Sequence, residues 1–404
     1  MVRSISDARC VDLKQGSYGW VVVLCAFTLM FVGFGAAYSF AAFFRAFQSE
    51  FGASRAHVSM VFSLCAFLYF LLGAPAGMLA DRHGTRLVAL TGVGFLVAGL
   101  AGASYARSVE MLYLTYSIGL GIGIGLTYVP SVGAVQPWFE KHRVLASGIA
   151  VSGIGAGNLL APPLAAWWIE ALGWRGAYLA LAACTLVLGG AAAAAIRNRP
   201  AGHARAVDGV PLREALATRN FWVLYVTLAL SGFGCFVPLV HIGPYAMDAG
   251  HPESVAVMLV SLIGLGSIVG RFAIGGIADR LGRMNTLALM YLGMALMLVL
   301  WWASTGALAL SIMAVGFGIS YGGFVATFPS VAMDLFGARS ISGIIGCVYT
   351  AAGIGTLFGP PLAGAAFDAF GSYSVPILGA AAFALIAAAG IFMLLRTGPS
   401  PAAA

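Results

Sequence analysis

Charged residues are scarce in this chain of 404 residues, since Asp, Glu, Lys and Arg together make up 9% of it and hydrophobic residues make up 61%. A water-soluble domain carries about 25% charged residues, because its surface must be hydrated. The composition therefore excludes a soluble protein and predicts an integral membrane protein.

Clusters of metal-binding or catalytic side chains are also missing. The six cysteines are scattered singly, without a CxxC pair, and we interpret them as small buried hydrophobes. The apolar runs contain no central Asp or Glu, no set of His ligands and no serine beside a base. We therefore expect no metal, no cofactor and no enzyme activity.

What the chain does contain is long apolar runs. A transmembrane helix needs roughly 20 apolar residues, and we count twelve runs of about that length or more. They lie at 18–43, 57–80, 85–106, 109–137, 143–170, 175–196, 219–247, 254–279, 284–304, 306–335, 340–367 and 373–396. The sequence thus predicts an all-α membrane protein with 12 transmembrane helices, divided into bundles at 1–196 and 219–404 by a polar linker at 197–218.

The 21 Lys and Arg residues are distributed unevenly between the loops. If the N-terminus is inside, sixteen of them fall on the cytoplasmic side and four on the opposite side. Short cytoplasmic loops retain positive charge, so we predict that both termini are cytoplasmic. The formal net charge of +7 then reflects topology and not nucleic-acid binding.

The two halves of the chain repeat. GMLADRHG at residues 77–84 matches GGIADRLG at residues 275–282, a shift of 198 positions, and the proline pairs at 162–163 and 360–361 repeat at the same shift. Parallel repeats of six helices form two bundles that rock about a site near the middle of the membrane. We therefore expect alternating access by a monomer, because twelve helices can enclose a path.

GMLADRHGTR resembles the signature loop of the major facilitator superfamily. QGSYGW at residues 15–20 and WFEKHRVLASGIAVSG at residues 138–153 resemble signatures of its monocarboxylate porter family, although Gln15, Tyr18 and Trp138 depart from the usual residues. The similarity covers the whole chain, and the oxalate and formate exchangers resemble it more distantly. The resemblance implies the superfamily's fold in a multi-pass protein, which we expect in a bacterial inner membrane.

Arg271 lies near the middle of the apolar stretch at 254–278. A cation at bilayer depth costs at least about 2.5 to 3.5 kcal/mol on insertion scales, and no helix offers an acidic partner. We therefore predict that Arg271 recognises the carboxylate of a transported anion. The alternative is a structural cation bonded to backbone carbonyls or reaching to the interface. The resemblance places the family's substrate-binding arginine here. Ser267, one turn earlier, stands where human-type members carry an acid, and it is a further candidate for substrate binding.

Further candidates for the site are a histidine and four tyrosines. His241 can change charge near neutral pH, so it is a candidate for proton coupling and for binding the substrate; a neutral histidine bonded to a neighbouring helix is the alternative. Phenolic hydroxyls suit carboxylate oxygens, although packing explains a buried tyrosine equally well. The tyrosines that we expect to line the cavity are Tyr38, Tyr116, Tyr321 and Tyr349.

The repeated loops contain Asp81 and Arg82, and their copies Asp279 and Arg280. Asp81 can cap a neighbouring helix N-terminus and pair with Arg82 or Arg86. We expect these loops to latch the outward-open state. The alternative is a solvated loop held by ordinary surface ion pairs.

One buried arginine matches one carboxylate. The exchangers place a lysine in helix eleven, and the closest position here is Ala352, so the second positive charge that a dianion needs is missing. We predict symport of a proton with a small monocarboxylate such as lactate or pyruvate. The alternatives are an exchanger of organic anions such as oxalate and formate, and an exporter of drug-like compounds. The segment after Arg396, TGPSPAAA, offers no signalling domain, so we expect a transporter and not a sensor.

Overall fold

The computed structural model describes residues 3–139, 143–197, 209–337 and 339–397. Within these ranges the chain is helical and contains no strand, apart from one isolated bridge between Gly209 and Gly337. In a membrane only a helix or a closed barrel satisfies every backbone hydrogen bond, and the long apolar runs of this chain form helices. The predicted all-α fold is confirmed.

The helices follow the predicted apolar runs closely. The first half contains α1 (Arg3–Tyr38, continued by Phe40–Phe51), α2 (Arg55–His83), α3 (Thr85–Ser104) and α4 (Val109–Trp138). It ends with one long helical segment that begins at Arg143, turns at Gly173 and reaches Ala195; α5 is the part before Gly173 and α6 the part after it. The second half contains α7 (Arg219–Asp248), α8 (Glu253–Leu281), α9 (Arg283–Trp302), α10 (Ala307–Phe336), α11 (Ile341–Phe370) and α12 (Ser374–Thr397).

Eleven described helices are long and apolar enough to cross a membrane, and one of them, with 51 residues, contains both α5 and α6. Gly173 has a φ of 70°, which favours glycine and breaks this segment into two crossings. The twelve predicted helices are therefore present. The cytoplasmic position of the termini and the bounds of the two domains stay predictions.

The internal repeat is visible in the backbone. Gly84 joins α2 to α3 with a φ of 86°, and Gly282 joins α8 to α9 with a φ of 84°. An L-residue with a side chain rarely adopts these angles, so both repeated loops need a glycine at the same turn. The described part of the linker continues into a short helix, Leu212–Leu216, and Val210 donates its N–H to the carbonyl of Phe336 at 2.8 Å.

Two helix pairs join the halves, since α2 packs along α11 and α5 packs along α8. Glycine permits the close crossing of α5 and α8: a Cβ on Gly264 would lie 2.5 Å from the backbone nitrogen of Leu159. A Cβ on Gly155 would lie 3.1 Å from Nη1 of Arg271. This crossing therefore places Arg271 at the boundary between the two halves.

The two ends of the boundary differ. At one end, which we call the ion-pair end, Arg55 and Arg45 both pair with Asp248 across the halves, at 2.7 and 3.4 Å. The other end carries the repeated loops and the linker, and we call it the linker end. The other described ion pairs, Glu50 with Arg175 and Asp334 with Arg283, each lie within one half. The structure is therefore closed at the ion-pair end.

Candidate functional site

A cavity of about 60 Å³ lies between the halves at the depth of Arg271. One water molecule needs roughly 10–15 Å³, so the space accommodates several waters or one small solute. Its wall comes from both halves and is largely aromatic, with five phenylalanines and five tyrosines. Among the described residues, no aspartate or glutamate lines it, and Arg271 is the only charged group in its wall. The cavity therefore combines one cation with an apolar surface.

Arg271 is held by its own helix and keeps free donors. Its Nη1 donates to Ser267 Oγ, one turn earlier on α8, at 2.6 Å, while the carbonyl of Ser267 is at 3.4 Å. The side chain is buried, with 7% of the residue exposed, and its Nε and Nη2 have no hydrogen-bond partner among the described residues. Nε and Nη2 form the edge of a guanidinium that binds a carboxylate through two parallel hydrogen bonds. Nε and Nη2 of Arg271 can therefore bind one planar anion, such as a carboxylate.

Ser267, a predicted substrate-binding residue, contacts Arg271 instead of the cavity. Its hydroxyl contacts the guanidinium, and it does not line the cavity. By occupying Nη1 it leaves the Nε and Nη2 edge for a ligand. We therefore interpret Ser267 as a residue that positions Arg271.

Three of the four predicted tyrosines line the cavity. The hydroxyls of Tyr38 on α1 and Tyr321 on α10 are 3.3 Å apart and form a hydrogen bond between the halves. Both are near enough to Arg271 to interact with its charge. Tyr349 on α11 lies in the same wall. The cavity that Arg271 lines is thus also lined by tyrosines, whose phenolic groups can donate to an oxygen of a ligand.

Tyr116 does not belong to this set. It is fully buried within the first half, where its hydroxyl donates to the carbonyls of Ala36 and Ala37 at 3.3 and 3.2 Å. These carbonyls lie just before Ser39, at which α1 is interrupted. The prediction that Tyr116 lines the cavity is therefore wrong, because this face of α4 turns towards α1.

His241 also lies outside the cavity. It is fully buried near the ion-pair end, where Nε2 is 2.8 Å from the carbonyl of Pro360 and Nδ1 is 3.1 Å from the hydroxyl of Tyr373. Its imidazole is thus bonded on both sides, and no edge of it faces the space beside Arg271. His241 therefore does not line the cavity in this structure, and substrate binding by it stays a prediction.

Two tyrosines of the wall were missed from the sequence. Tyr69 on α2 and Tyr128 on α4 both line the cavity, and Tyr128 is near enough to interact with the charge of Arg271. The Tyr69 hydroxyl faces Tyr38 but makes no hydrogen bond of good geometry with a described residue. Tyr69 lies near the middle of α2, so its depth gave a signal. Depth alone does not tell which face of a helix meets the other half.

The predicted latch lies at the linker end, away from the cavity. Asp81, Arg82 and Arg280 are exposed, and the side chain of Asp279 lies outside the described part of the structure. No ion pair of Asp81 or Arg82 occurs among the described residues. The latch therefore stays a prediction, which concerns the state opposite to the one seen here.

Known proteins resemble this chain over most of its length. The family profile described as Major Facilitator Superfamily matches residues 23–346. Monocarboxylate transporter 3 of Rattus norvegicus is 32% identical over 401 residues, covering 95% of this chain and 80% of that protein. Monocarboxylate transporter 13 of Rattus norvegicus is 31% identical over 386 residues, covering 94% of this chain and 90% of that protein.

Solved structures show the same fold. A bacterial homolog of the human lysosomal transporter Spinster, in an inward-facing and unoccupied conformation, aligns with a TM-score of 0.73. The alignment covers 95% of this chain and 99% of that one, at 17% sequence identity. The second structure of that protein, inward-facing and occupied, also gives a TM-score of 0.73, at 18% identity. These likenesses concern the fold alone.

The role of Ser267 is testable through binding of a small carboxylate. In Ser267→Ala the guanidinium loses its acceptor and is free to turn, so we expect about tenfold weaker binding of lactate, as for loss of one hydrogen bond to a charged group. Isothermal titration of the purified protein measures this. Ser261 is a matched control on α8, because it is buried and its hydroxyl has no described partner. Equal affinities in Ser267→Ala and Ser261→Ala would contradict the positioning role.

Proposed function

Because this chain belongs to the major facilitator superfamily and, within it, to the monocarboxylate transporter family, we propose that it carries a small monocarboxylate anion across the membrane. It is a transporter and not an enzyme. The observation that carries the proposal is that Arg271, whose Nε and Nη2 have no described hydrogen-bond partner, lines a cavity whose described wall contains no carboxylate. A charge buried at that depth is costly until an anion pairs with it.

The charge balance of the cavity favours a monoanion. One guanidinium and one carboxylate sum to zero, so the loaded site is neutral when it is closed off from water. A dianion would leave one negative charge in a wall that is otherwise aromatic. Since burying an unpaired charge costs far more than burying a pair, we propose lactate or pyruvate as the substrate type.

The rest of the wall fits such a molecule. The phenylalanine rings offer an apolar surface for a short carbon tail, and Tyr38, Tyr69 and Tyr321 line the same cavity. A hydroxyl group can donate to a carboxylate oxygen or pair with a 2-hydroxy or 2-oxo group. This arrangement favours short, weakly polar carboxylic acids as substrates over acids with long hydrocarbon chains.

We propose alternating access as the mechanism. The ion-pair end is closed by contacts between the halves, and the hydrogen bond between Tyr38 and Tyr321 also joins them. Rocking of two parallel repeats about a central site opens one end as the other closes. We further propose that the protein works as a monomer in a bacterial inner membrane, with both termini in the cytoplasm.

We propose proton symport as the form of coupling. The described cavity wall contains no carboxylate that could take a proton. The proton then travels with the substrate, and His241, the imidazole buried between the halves, is the candidate residue for coupling proton binding to the opening of the ion-pair end. Anion exchange without a proton is the alternative form of the same transport, and it needs the same arginine.

The central test is transport by Arg271→Gln in proteoliposomes. Glutamine cannot pair with a carboxylate, so we expect uptake of radiolabelled lactate down an inward proton gradient to fall at least tenfold, about the loss of one charged hydrogen bond. Arg107→Gln, which removes an exposed arginine from a loop, should leave uptake unchanged. Undiminished uptake in Arg271→Gln would contradict the proposal and favour an exporter of drug-like compounds. Uptake that requires a trans-side anion and ignores the proton gradient would overturn symport alone.

The choice between monoanion and dianion is testable at Ala352. This residue lines the cavity, at the position nearest to the lysine of the exchangers. In Ala352→Lys the wall gains a second cation, so we expect uptake of oxalate to appear and uptake of lactate to fall. Ala352→Met adds similar bulk without charge and should lower lactate uptake without admitting oxalate. Oxalate uptake by the parent protein equal to that of lactate would contradict the charge argument.

The latch is testable by access to Cys235, which lines the cavity. If Asp81 stabilises the state that is open at the ion-pair end, Asp81→Asn should slow labelling of Cys235 from that side by an impermeant thiol reagent, in a protein whose other cysteines are serine. Asp334→Asn is the control, because Asp334 pairs with Arg283 within one half. An unchanged rate in Asp81→Asn would show that the loop is an ordinary solvated surface.

A further inference from the structure

A second buried polar network joins the halves at the ion-pair end. We call it the Arg55 cluster and define it as Arg55 and Ser59 of α2, His241 and Asp248 of α7, Asp368 of α11 and Tyr373 at the start of α12. It lies apart from the cavity that contains Arg271. Because its members come from both halves, it must separate when this end of the protein opens.

Arg55 is the centre of the cluster. Its Nη2 donates to Asp248 Oδ1 at 2.9 Å, and its Nη1 lies 2.7 Å from Asp248 Oδ2 and donates to the hydroxyl of Tyr373 at 2.6 Å. The guanidinium also stacks on the ring of Phe367, 3.7 Å from its centroid. The Arg55 side chain is only 11% exposed, whereas that of Arg45, the other arginine on Asp248, is 51% exposed. The pair between Arg55 and Asp248 is thus the more buried of the two described ion pairs between the halves. Breaking it costs more free energy than breaking the pair between Arg45 and Asp248.

The hydrogen bonds around His241 fix a neutral imidazole. A carbonyl can only accept, so Nε2, at 2.8 Å from the carbonyl of Pro360, carries the proton. Nδ1 is then an acceptor, and the hydroxyl of Tyr373 donates to it at 3.1 Å. That hydroxyl in turn accepts from Arg55. A directed chain therefore runs from Arg55 through Tyr373 and His241 to Pro360, with every member satisfied.

A protonated His241 does not fit this chain. Nδ1 would become a donor, so the Tyr373 hydroxyl would face two N–H donors and its own proton would lose its acceptor. The protonated imidazole would also place a second positive charge near Arg55, because only the Tyr373 hydroxyl lies between the two groups. Ser59 cannot donate a hydrogen bond to the Tyr373 hydroxyl or the imidazole instead, because its hydroxyl already donates to the carbonyl of Arg55 at 2.6 Å.

The neighbouring carboxylates are already bound elsewhere. Asp248 pairs with Arg55 and Arg45, and Asp368 accepts the backbone N–H groups of Arg55 and Ala56 at 3.2 and 3.1 Å. Neither makes a hydrogen bond to the imidazole, and from α1 only the ring of Phe44 packs against it in the described contacts. The closed cluster therefore holds no acceptor for an extra proton on His241.

We propose that the Arg55 cluster is a proton-sensitive gate: the ion-pair end closes only with His241 neutral, and protonation of His241 from the water on that side holds it open. The proton is taken from that water on opening and returned to it on closing. By linkage, whichever state binds the proton more tightly is favoured by acid. The inference rests on the proposed alternating access but not on the identity of the substrate.

The test measures the opening of each end directly and without substrate. Spin labels are placed on Arg107→Cys and Ala303→Cys, which are exposed at the ion-pair end of the two halves. A second protein carries labels at the linker end, on Arg86→Cys and Asn285→Cys. The native cysteines are replaced by serine, and distances are measured by double electron–electron resonance in lipid nanodiscs between pH 8 and pH 5.

We expect acid to move the ion-pair end towards a longer distance and the linker end towards a shorter one. For one linked proton, the ratio of open to closed molecules changes by at most about tenfold per pH unit. His241→Gln keeps a donor for the Pro360 carbonyl but cannot be protonated, so it should abolish this pH response. Asp248→Asn should open the ion-pair end at every pH.

The matched control is His251→Gln. His251 lies near the same end, bonded to the carbonyl of Thr305 within the second half, so the pH response should persist in this variant. A response equal in the parent and in His241→Gln, or none in the parent while Asp248→Asn opens the end, would overturn the proposal. Tyr373→Phe provides a second check, because loss of its hydroxyl should weaken the response even if His241→Gln folds poorly. None of these outcomes depends on lactate uptake, so failure of the gate and failure of the proposed function are distinguishable.

Discussion

The structure depends on one unpaired cation. Arg271 is buried between two aromatic bundles, its Nη1 is fixed by Ser267, and its remaining edge has no described partner. A soluble protein would solvate such a group, and a structural arginine in a membrane would bond to carbonyls. Here Nη1 donates to the hydroxyl of Ser267 at 2.6 Å and to its carbonyl at 3.4 Å, whereas Nε and Nη2 have no described partner and can pair with a ligand. We therefore infer that burial of Arg271 with two donors unpartnered favours the binding of an anion.

The packing around Arg271 places it where an anion could be enclosed between the two halves. Close crossing of α5 and α8, allowed by glycines 155 and 264, brings the guanidinium to the boundary of the halves. The same boundary is where the halves must move, so a ligand bound there is enclosed by whichever end is closed. At the ion-pair end the closure is electrostatic and directional, through Arg55 and Asp248. In the mechanism that we propose, substrate recognition and closure therefore use separate buried arginines: Arg271, with two donors free for the ligand, and Arg55, which is already paired.

Much of this was predictable from the sequence, for identifiable reasons. The twelve helices follow from one strong constraint, the need to satisfy the backbone in lipid, and the repeat is visible as motifs that recur at a shift of 198 positions. Arg271 stood out because a buried cation is costly whatever packs around it. What failed was the direction of helix faces: His241 and Tyr116 lie within membrane helices, but their side chains meet α11 and α1 and not the cavity. Tyr69 and Tyr128 were missed for the same reason, since hydropathy does not record rotation about a helix axis.

The most direct test of carboxylate binding by Nε and Nη2 of Arg271 is an experimental structure of the protein with lactate bound. We predict the lactate carboxylate on Nε and Nη2 of Arg271, with Nη1 still on Ser267 and a hydroxyl of the cavity tyrosines on the remaining oxygens. Lactate bound elsewhere, with this edge of Arg271 still unpaired, would contradict the account.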